Sequence, residues 1–150
     1  MKILFLVIAI IINIQSNQAQ LKTTALCPAF KIDVLKGLLN EGINPASSKK
    51  KKKKTFPCYS EITAENTSAK CSGVFYKDKG IYFFTDRDYI EIRSNFKGKL
   101  SLPLMGYSRN SLFKTLGHPK IKDIGWDAFQ TAYGTLVLYY SKAGKINKLQ

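Results

Sequence analysis

The stretch GVFYKDKGIYFF, residues 73–84, predicts a β-hairpin. Two short runs of aromatic and β-branched residues flank KDKG, which suits a tight turn. The same pattern recurs downstream, where FFTDRDYIEIRSNF turns at DRD and FKGKLSLPL turns at KG. We therefore predict an antiparallel meander of four strands, at about residues 74–76, 81–85, 89–94 and 99–102. Such a meander can leave one face exposed to water.

Three acids in the meander, Asp86, Asp88 and Glu91, raise the question of a carboxylate site. Paired acids can perform acid–base chemistry or hold calcium, but calcium takes about six or more oxygens and the EF-hand spacing is absent. Aspartate is an ordinary turn residue. We interpret these acids as part of the turn, and we expect no metal site.

Upstream of the meander, CPAFKIDVLKGLLNEG at residues 27–42 predicts a helix over about residues 28–40. Phe30, Val34 and Leu38 recur at a spacing of four, which makes one apolar stripe on a helix. Pro28 suits the first turn, and Gly42 suits the position just past the end.

A run of lysines follows, in INPASSKKKKKKTFP at residues 43–57. Like charges resist compaction and no apolar period is present, so we predict a solvated, mobile loop at about residues 44–57. If the segment is functional, it would bind anions. Each lysine near an anionic surface would contribute about 1 kcal/mol of binding free energy. The six anion-binding candidates are Lys49, Lys50, Lys51, Lys52, Lys53 and Lys54. Nucleic acid is not an expected partner, because no aromatic residues interrupt the lysines.

The first residues, MKILFLVIAIIINIQSNQAQ, have the layout of a secretory signal peptide. We expect cleavage after Ala19, which leaves residues 20–150 as a single exported domain, periplasmic or secreted, without a transmembrane segment. An uncleaved N-terminal anchor is the alternative.

The chain carries 24 Lys and Arg against 10 Asp and Glu, a formal charge of +14. That balance favours peripheral contact with anionic surfaces.

Export makes the three cysteines, Cys27, Cys58 and Cys71, candidates for a disulfide. Three cysteines allow one bridge and leave one thiol, and sequence alone cannot choose the pair. We favour Cys58 with Cys71, because both flank a short polar segment just before the strands. No Cys-x-x-Cys and no second histidine support a metal site.

The segment GYSRNSLFKTLGHP, residues 106–119, predicts a short helix over about residues 109–116. Ser108 suits the N-cap, Gly117 suits the left-handed residue after the end, and Pro119 prevents continuation. His118, the only histidine, therefore belongs to the stop signal. Strands are predicted at about residues 128–133, 135–140 and 145–149, with a turn at YG.

These elements predict an α+β fold: an N-terminal helix, an antiparallel β-meander, then a short helix followed by an antiparallel hairpin and a final strand. We expect the helices to pack on one face of the sheet.

Residues 106–149 resemble the SmpA/OmlA-type small lipoprotein domain and, in the same broad architecture, the β-lactamase inhibitor protein fold. The matching residues are Gly106, Ser108, Leu112, Leu116, Gly117, Pro119, Trp126, Tyr140, Gly144 and Ile146. The lipid-bearing cysteine of that family is absent, Ala128 replaces an expected aromatic, and the meander is additional. The resemblance implies binding or scaffolding through a sheet face or loop, without catalysis.

Catalysis has little support in the sequence. His118 has no neighbouring nucleophile motif, and the glycines lie singly in turns rather than in a phosphate-binding loop. We therefore expect no enzyme activity and no cofactor.

The leading hypothesis is an exported binding protein that recognises another protein or a cell-envelope component through its antiparallel sheet. An inhibitor-like or immunity-like protein is a variant of it. Tyrosine is enriched at interfaces. The contact candidates are Tyr76, Tyr82, Tyr89 and Tyr107, with Tyr133, Tyr139 and Tyr140 as further members. The alternatives are an anion-tethering protein that uses the lysine run to bind anionic lipid, polysaccharide or nucleic acid, and a structural envelope component.

Overall fold

The computed structural model of the chain describes residues 26–63 and 72–150. The described residues form an α+β fold with an eight-stranded sheet, a three-stranded sheet and two short α-helices. The predicted signal peptide, residues 1–19, lies outside the described residues.

The strands are β1 Lys31–Asp33, β2 Leu38–Leu39, β3 Glu61–Thr63, β4 Gly73–Tyr76, β5 Ile81–Phe84, β6 Tyr89–Arg93, β7 Lys99–Leu100, β8 Ile121–Lys122, β9 Trp126–Thr131, β10 Gly134–Tyr140 and β11 Ile146–Leu149. The α-helices are α1 Lys49–Thr55 and α2 Phe113–Leu116. Single 3₁₀ turns lie at Asn40–Gly42, Lys77–Lys79 and Arg109–Ser111.

The large sheet has the order β3-β4-β5-β6-β11-β10-β9-β8, and every neighbouring pair in it is antiparallel. The predicted hairpins from β4 to β6 are confirmed, and Gly80 takes the left-handed conformation in the first turn, with φ 69°. The predicted strands β9, β10 and β11 are also present. The last strand, β11, lies in the middle of the sheet, between β6 and β10.

The fourth strand of the predicted meander does not join the large sheet. β7 pairs instead with β1, in parallel, and β1 pairs with β2 to complete the small sheet. The main hydrophobic core joins one face of the large sheet to this small sheet. Its members include Phe30, Ile32, Val34 and Leu39 from the small-sheet region, and Val74, Phe83, Ile92 and Leu138 from the large sheet.

The predicted N-terminal helix is wrong, because residues 31–39 form the β1–β2 hairpin. Ile32 and Val34 are buried at a spacing of two, which is the period of a strand. The Asp33 carboxylate accepts hydrogen bonds from the backbone N–H groups of Leu35 and Lys36, which closes the turn. Pairing with β7 and β2 satisfies the backbone groups of β1 within the small sheet instead of within a helix.

The segment predicted as an irregular loop contains helix α1. The Ser48 side chain caps this helix by accepting from the backbone N–H of Lys51 at 3.3 Å. Lysine is also a good helix former. Phe56, which follows the helix, is fully buried in the core and fixes its C-terminal end.

The disulfide joins Cys27 to Cys58, with 5.4 Å between the two Cα atoms. The predicted pairing of Cys58 with Cys71 is therefore wrong, and Cys71 lies outside the described residues. The bridge connects the segment before β1 to the segment after α1. Sequence proximity favoured the other pair, but a disulfide needs Cα atoms within about 7 Å, which only the fold can supply.

The predicted short helix is present as a 3₁₀ turn at Arg109–Ser111 followed by α2. Gly117 follows α2 with φ 72° and ψ −151°, a backbone conformation that suits glycine but not the left-handed conformation predicted for the residue after the helix. Ser108 occupies the predicted N-cap position of the 3₁₀ turn, but its side chain makes no capping hydrogen bond. Leu112 is buried and connects this segment to the core.

Candidate functional site

The large sheet has a second face, opposite the main core, which we call the outer face. Successive side chains along a strand lie on opposite faces of the sheet. Ile81, Phe83, Ile90 and Ile92 belong to the main core, so the residues next to them in β5 and β6 lie on the outer face. The strand register then aligns outer-face residues across four strands: Tyr82 with Glu91, Arg93 with Lys148, and Lys148 with Tyr139.

One end of the outer face is aromatic. The rings of Phe75 and Tyr82 are 5.6 Å apart, those of Phe75 and Phe84 are 5.1 Å apart, and those of Phe84 and Tyr89 stack at 4.6 Å. Phe75, Tyr82 and Phe84 are buried, and Tyr89 is half-buried. The packing leaves these rings with fixed positions on the sheet.

A row of five residues begins at Tyr82 of the aromatic end and continues across the outer face. It consists of Tyr82, Arg93, Glu91, Lys148 and Tyr139, and we call it the cation–tyrosine row. The Arg93 guanidinium lies 4.0 Å from the centre of the Tyr82 ring, and Lys148 Nζ lies 3.8 Å from the centre of the Tyr139 ring. Both distances are within the range of cation–π attraction. The row therefore presents two cations, each paired with a tyrosine ring.

Glu91 lies between the two cations and holds both. Its Oε1 accepts a hydrogen bond from Arg93 Nε at 2.6 Å, and its Oε2 is 3.6 Å from Lys148 Nζ. The Glu91 side chain is buried, whereas those of Arg93 and Lys148 are 49% and 31% exposed. A buried carboxylate needs such partners, and here it fixes two partly exposed cations in place.

The electrostatics of the row follow from these contacts. Burial opposes the charge on Arg93, but the hydrogen bond and the charge of Glu91, with Tyr82, outweigh it and raise the pKa of Arg93. Burial and the negative charge of Glu91 also raise the pKa of Tyr139. The Tyr139 hydroxyl donates to Gln150 Oε1 at 2.9 Å. Arg93 thus stays charged and the Tyr139 phenol stays protonated over the physiological pH range.

The predicted contact tyrosines divide between different places. Tyr82, Tyr89 and Tyr139 share the outer face, as the hypothesis requires. Tyr76 is fully buried in the main core, so it cannot contact a partner. Tyr107 is 44% exposed, but it lies in the segment between β7 and the 3₁₀ turn Arg109–Ser111 and is not part of a strand of the large sheet.

Tyr140 belongs to a partly buried hydrogen-bond network around the buried carboxylate of Asp127. Its hydroxyl donates to Asp127 Oδ2 at 2.7 Å, and burial together with this bond raises the pKa of Tyr140. The Arg109 guanidinium donates to both oxygens of the same carboxylate, and also to the carbonyls of Asp123 and Ile124. The hydrogen bond with Asp127 raises the pKa of Arg109 despite some desolvation. This network holds the β8–β9 loop.

The six lysines are not equivalent. Lys50, Lys51 and Lys54 are exposed and lie on one side of α1, because positions i, i+1 and i+4 cluster on a helix. Lys52 is fully buried: its Nζ donates to the carbonyl of Pro45 at 2.5 Å and lies 5.4 Å from the centre of the Phe83 ring. Burial lowers the pKa of Lys52 to about 8, although the charge of Asp88 opposes this shift. Only part of the run can therefore meet an external anion.

The remaining polar candidates occupy separate places. His118 is exposed beside Phe113, with ring centres 4.5 Å apart. Asp86 and Asp88 lie in the β5–β6 turn, where Asp88 has φ 48°, while Glu91 is on the outer face. Across the described segments, His, Cys, Asp and Glu side chains form no group of three or more that could hold a metal ion.

Nowhere in residues 26–63 and 72–150 is a helix long and apolar enough to cross a membrane.

Arg93 and Lys148 are the site residues that the sequence did not identify. The alternation in YIEIR places Glu91 and Arg93 on one face of β6, and this local signal was available. The approach of Lys148 depends on the pairing of β6 with β11, which no local pattern reports.

Comparison of the chain with protein-family models, with curated proteins and with solved structures finds no match.

Proposed function

We propose that this chain is an exported, non-enzymatic binding protein that recognises another protein, or a component of the cell envelope, through the outer face of its large sheet. The observation that supports this proposal is the cation–tyrosine row, in which buried Glu91 fixes Arg93 and Lys148 against two tyrosine rings. The resemblance of residues 106–149 to small lipoprotein and inhibitor domains favours the same kind of role.

The row has the properties of a preorganised interface. Tyrosine and arginine are the residue types that most often supply binding energy at interfaces. Association costs less when side chains are already held in one conformation, because their rotamer entropy is lost before binding. The contacts of Arg93 and Lys148 with Glu91 and with the rings provide that restraint.

The charge of the chain indicates the chemistry of the partner. With a formal charge of +14, the protein favours a partner with an acidic surface. Carboxylates or phosphates of such a partner would meet Arg93 and Lys148, while its apolar groups would meet the half-buried rings of Tyr89 and Tyr139. An inhibitor-like or immunity-like protein is one form that this binding would take.

The test compares capture of a partner by two double variants. Arg93→Gln/Lys148→Gln removes the row's cations but leaves amides that can bond to Glu91. Arg87→Gln/Lys142→Gln removes the same charge from exposed positions elsewhere. We expect a specific component of an envelope or culture-supernatant fraction to bind the wild type and the control, and to bind the first variant at least about tenfold more weakly. Equal binding by both variants, with both folded, would contradict the proposal.

A second candidate function is tethering to an anionic surface, favoured by the clustering of Lys50, Lys51 and Lys54 on one side of α1. Three lysines at about 1 kcal/mol each would strengthen vesicle binding by roughly a hundredfold. The test is binding to phosphatidylglycerol vesicles and to heparin at increasing salt. Lys50→Gln/Lys51→Gln/Lys54→Gln should bind far more weakly than Lys97→Gln/Lys120→Gln/Lys142→Gln, whose lysines are also exposed. Equal loss of vesicle and heparin binding in both triple variants would show that the net charge of the protein, and not the lysine cluster on α1, causes the binding.

A further inference from the structure

A cleft with a volume of about 390 Å³ opens between the two sheets, on the side of the large sheet opposite the outer face. Its floor consists of core residues of β6, β10 and β11, namely Ile90, Ile92, Leu136 and Leu149. The opposite wall is the β1–β2 hairpin, with Ile32, Val34 and Leu38. An apolar cleft with a few polar groups at its opening is the usual form of a small-molecule site.

The opening of the cleft is bounded by the β1–β2, β5–β6 and β9–β10 turns, which contribute Lys36, Asp88 and Tyr133. Lys36 Nζ lies 3.8 Å from the carboxylate of Asp33, and Asp88 attracts the buried Lys52. The opening therefore carries one charge of each sign, Lys36 and Asp88, and each has an oppositely charged residue of the protein near it. Uncharged hydrogen-bonding groups of Tyr133, Asn44 and Thr135 also line the cleft.

The two charges at the opening of the cleft disfavour ligands that are themselves charged. A carboxylate or phosphate at the opening would meet the like charge of Asp88, and an ammonium group would meet the like charge of Lys36. Either ion would also lose part of its hydration, and the one residue of opposite charge at the opening already has an oppositely charged neighbour within the protein. An uncharged hydroxyl or amide carries a much smaller desolvation cost, and Tyr133 and Asn44 could hydrogen-bond to it.

We propose that this cleft binds an uncharged small molecule that has an apolar body and a hydroxyl or amide end. The volume of about 390 Å³ lies at the lower end of the range of about 300–1,000 Å³ that is usual for small-molecule sites, so the ligand is a small one. The site is separate from the cation–tyrosine row, because its floor is the core face of the same strands.

The first test titrates the purified protein with 1-decanol and follows backbone ¹H–¹⁵N chemical shifts. We expect the largest changes at the amides of Ile90, Ile92, Leu136 and Leu149. Decanoate and decylammonium have the same chain with a charged end, and we expect each to bind at least about tenfold more weakly. Changes confined to other residues, no changes at all, or equal affinity for decanol and either ion would overturn the proposal.

A pair of variants tests the same cleft with the uncharged fluorescent probe N-phenyl-1-naphthylamine. Leu136→Trp places a larger side chain in the cleft, whereas Val137→Trp places the same side chain on the other face of β10. We expect at least about a tenfold loss of probe affinity in the first variant and less than about a twofold change in the second. Equal probe affinity in both folded variants would overturn the proposal. The shift titration uses the wild-type protein, so it decides the question even if Leu136→Trp does not fold.

Discussion

The buried hydroxyl of Tyr76 donates a hydrogen bond to the carbonyl oxygen of Phe56 at 2.7 Å, and it also lies 3.3 Å from the carbonyl of Lys52. Both carbonyls are at the C-terminal end of α1: that of Lys52 also accepts from the backbone N–H of Phe56 at 2.9 Å, and that of Phe56 belongs to the residue just past the helix. The Tyr76 ring also packs edge-on against Phe30, with centres 5.1 Å apart. One side chain of β4 thus fixes the lysine helix to the core of the large sheet.

We expect Tyr76→Phe to lower the free energy of unfolding by about 1–3 kcal/mol, because it leaves a buried carbonyl without its donor. The ring packing is preserved, so the hydroxyl alone is tested. Urea denaturation measures the change, and Tyr107→Phe, at an exposed position, is the control. An equal effect in the two variants would show that the hydrogen bond to Phe56 contributes nothing.

The buried Lys52 should make stability depend on pH in a distinctive way. Its pKa is about 8 in the folded protein against an ordinary value of 10.5, so the unfolded chain binds the proton more tightly. The penalty is therefore complete below pH 8 and is relieved as the pH rises towards 10.5. Between about pH 7.5 and 9.5, this group should add about 2 kcal/mol to the free energy of unfolding.

Lys52→Met keeps the apolar length of the side chain and should remove that rise, while Lys54→Met, exposed on the same helix, should keep it. At neutral pH, Lys52→Met should also be more stable than the wild type by about 1 kcal/mol, because no charge is buried. Urea denaturation at several pH values measures both effects. Parallel pH profiles for the wild type and Lys52→Met would contradict the burial of a titrating amine.

The disulfide between Cys27 and Cys58 spans 31 residues. Closing a loop of that length should stabilise the fold by about 4 kcal/mol. We expect Cys27→Ala/Cys58→Ala to lose approximately that free energy of unfolding, and Cys71→Ala to lose much less. Peptide mapping without reduction should recover residues 27 and 58 in one linked pair, and a bridge to Cys71 would contradict the fold.

The Arg109 guanidinium donates to Asp127 and to the carbonyls of Asp123 and Ile124 at the same time. A lysine has one ammonium group and cannot make this set of contacts. Arg109→Lys should therefore lower the free energy of unfolding by about 1–3 kcal/mol and speed amide hydrogen exchange in the β8–β9 loop. Arg87→Lys, at an exposed turn position, should change neither quantity.

Local signals predicted the parts of the fold that depend on neighbours in sequence. The turns KDKG and DRD, with their flanking aromatic runs, located β4, β5 and β6 correctly. In the N-terminal segment, Phe30, Ile32 and Val34 fit a strand while Phe30, Val34 and Leu38 fit a helix. The pairing of β1 with distant β7 decides between these patterns, and no local period contains that information.

The candidate site was predictable to a similar extent. Tyr82 and Tyr89 lie on the outer face of the sheet, but Tyr82 is buried there and Tyr89 is half-buried, and the same reasoning also included Tyr76, which is buried in the main core. Charge repulsion predicted a loop at the lysine run, but the Ser48 cap and the bond from Tyr76 stabilise a helix. The burial of Lys52 depends on Pro45 and Phe83, which only the folded chain brings near it.

The most direct test of the outer face as a binding surface is photo-cross-linking in the cells that produce the protein. The photoreactive residue p-benzoylphenylalanine would replace Tyr139, in the cation–tyrosine row, or Tyr133, which is 68% exposed in the β9–β10 turn. We expect a discrete adduct from position 139 and none from position 133. No adduct from position 139, or the same adduct in equal yield from both positions, would contradict the proposal.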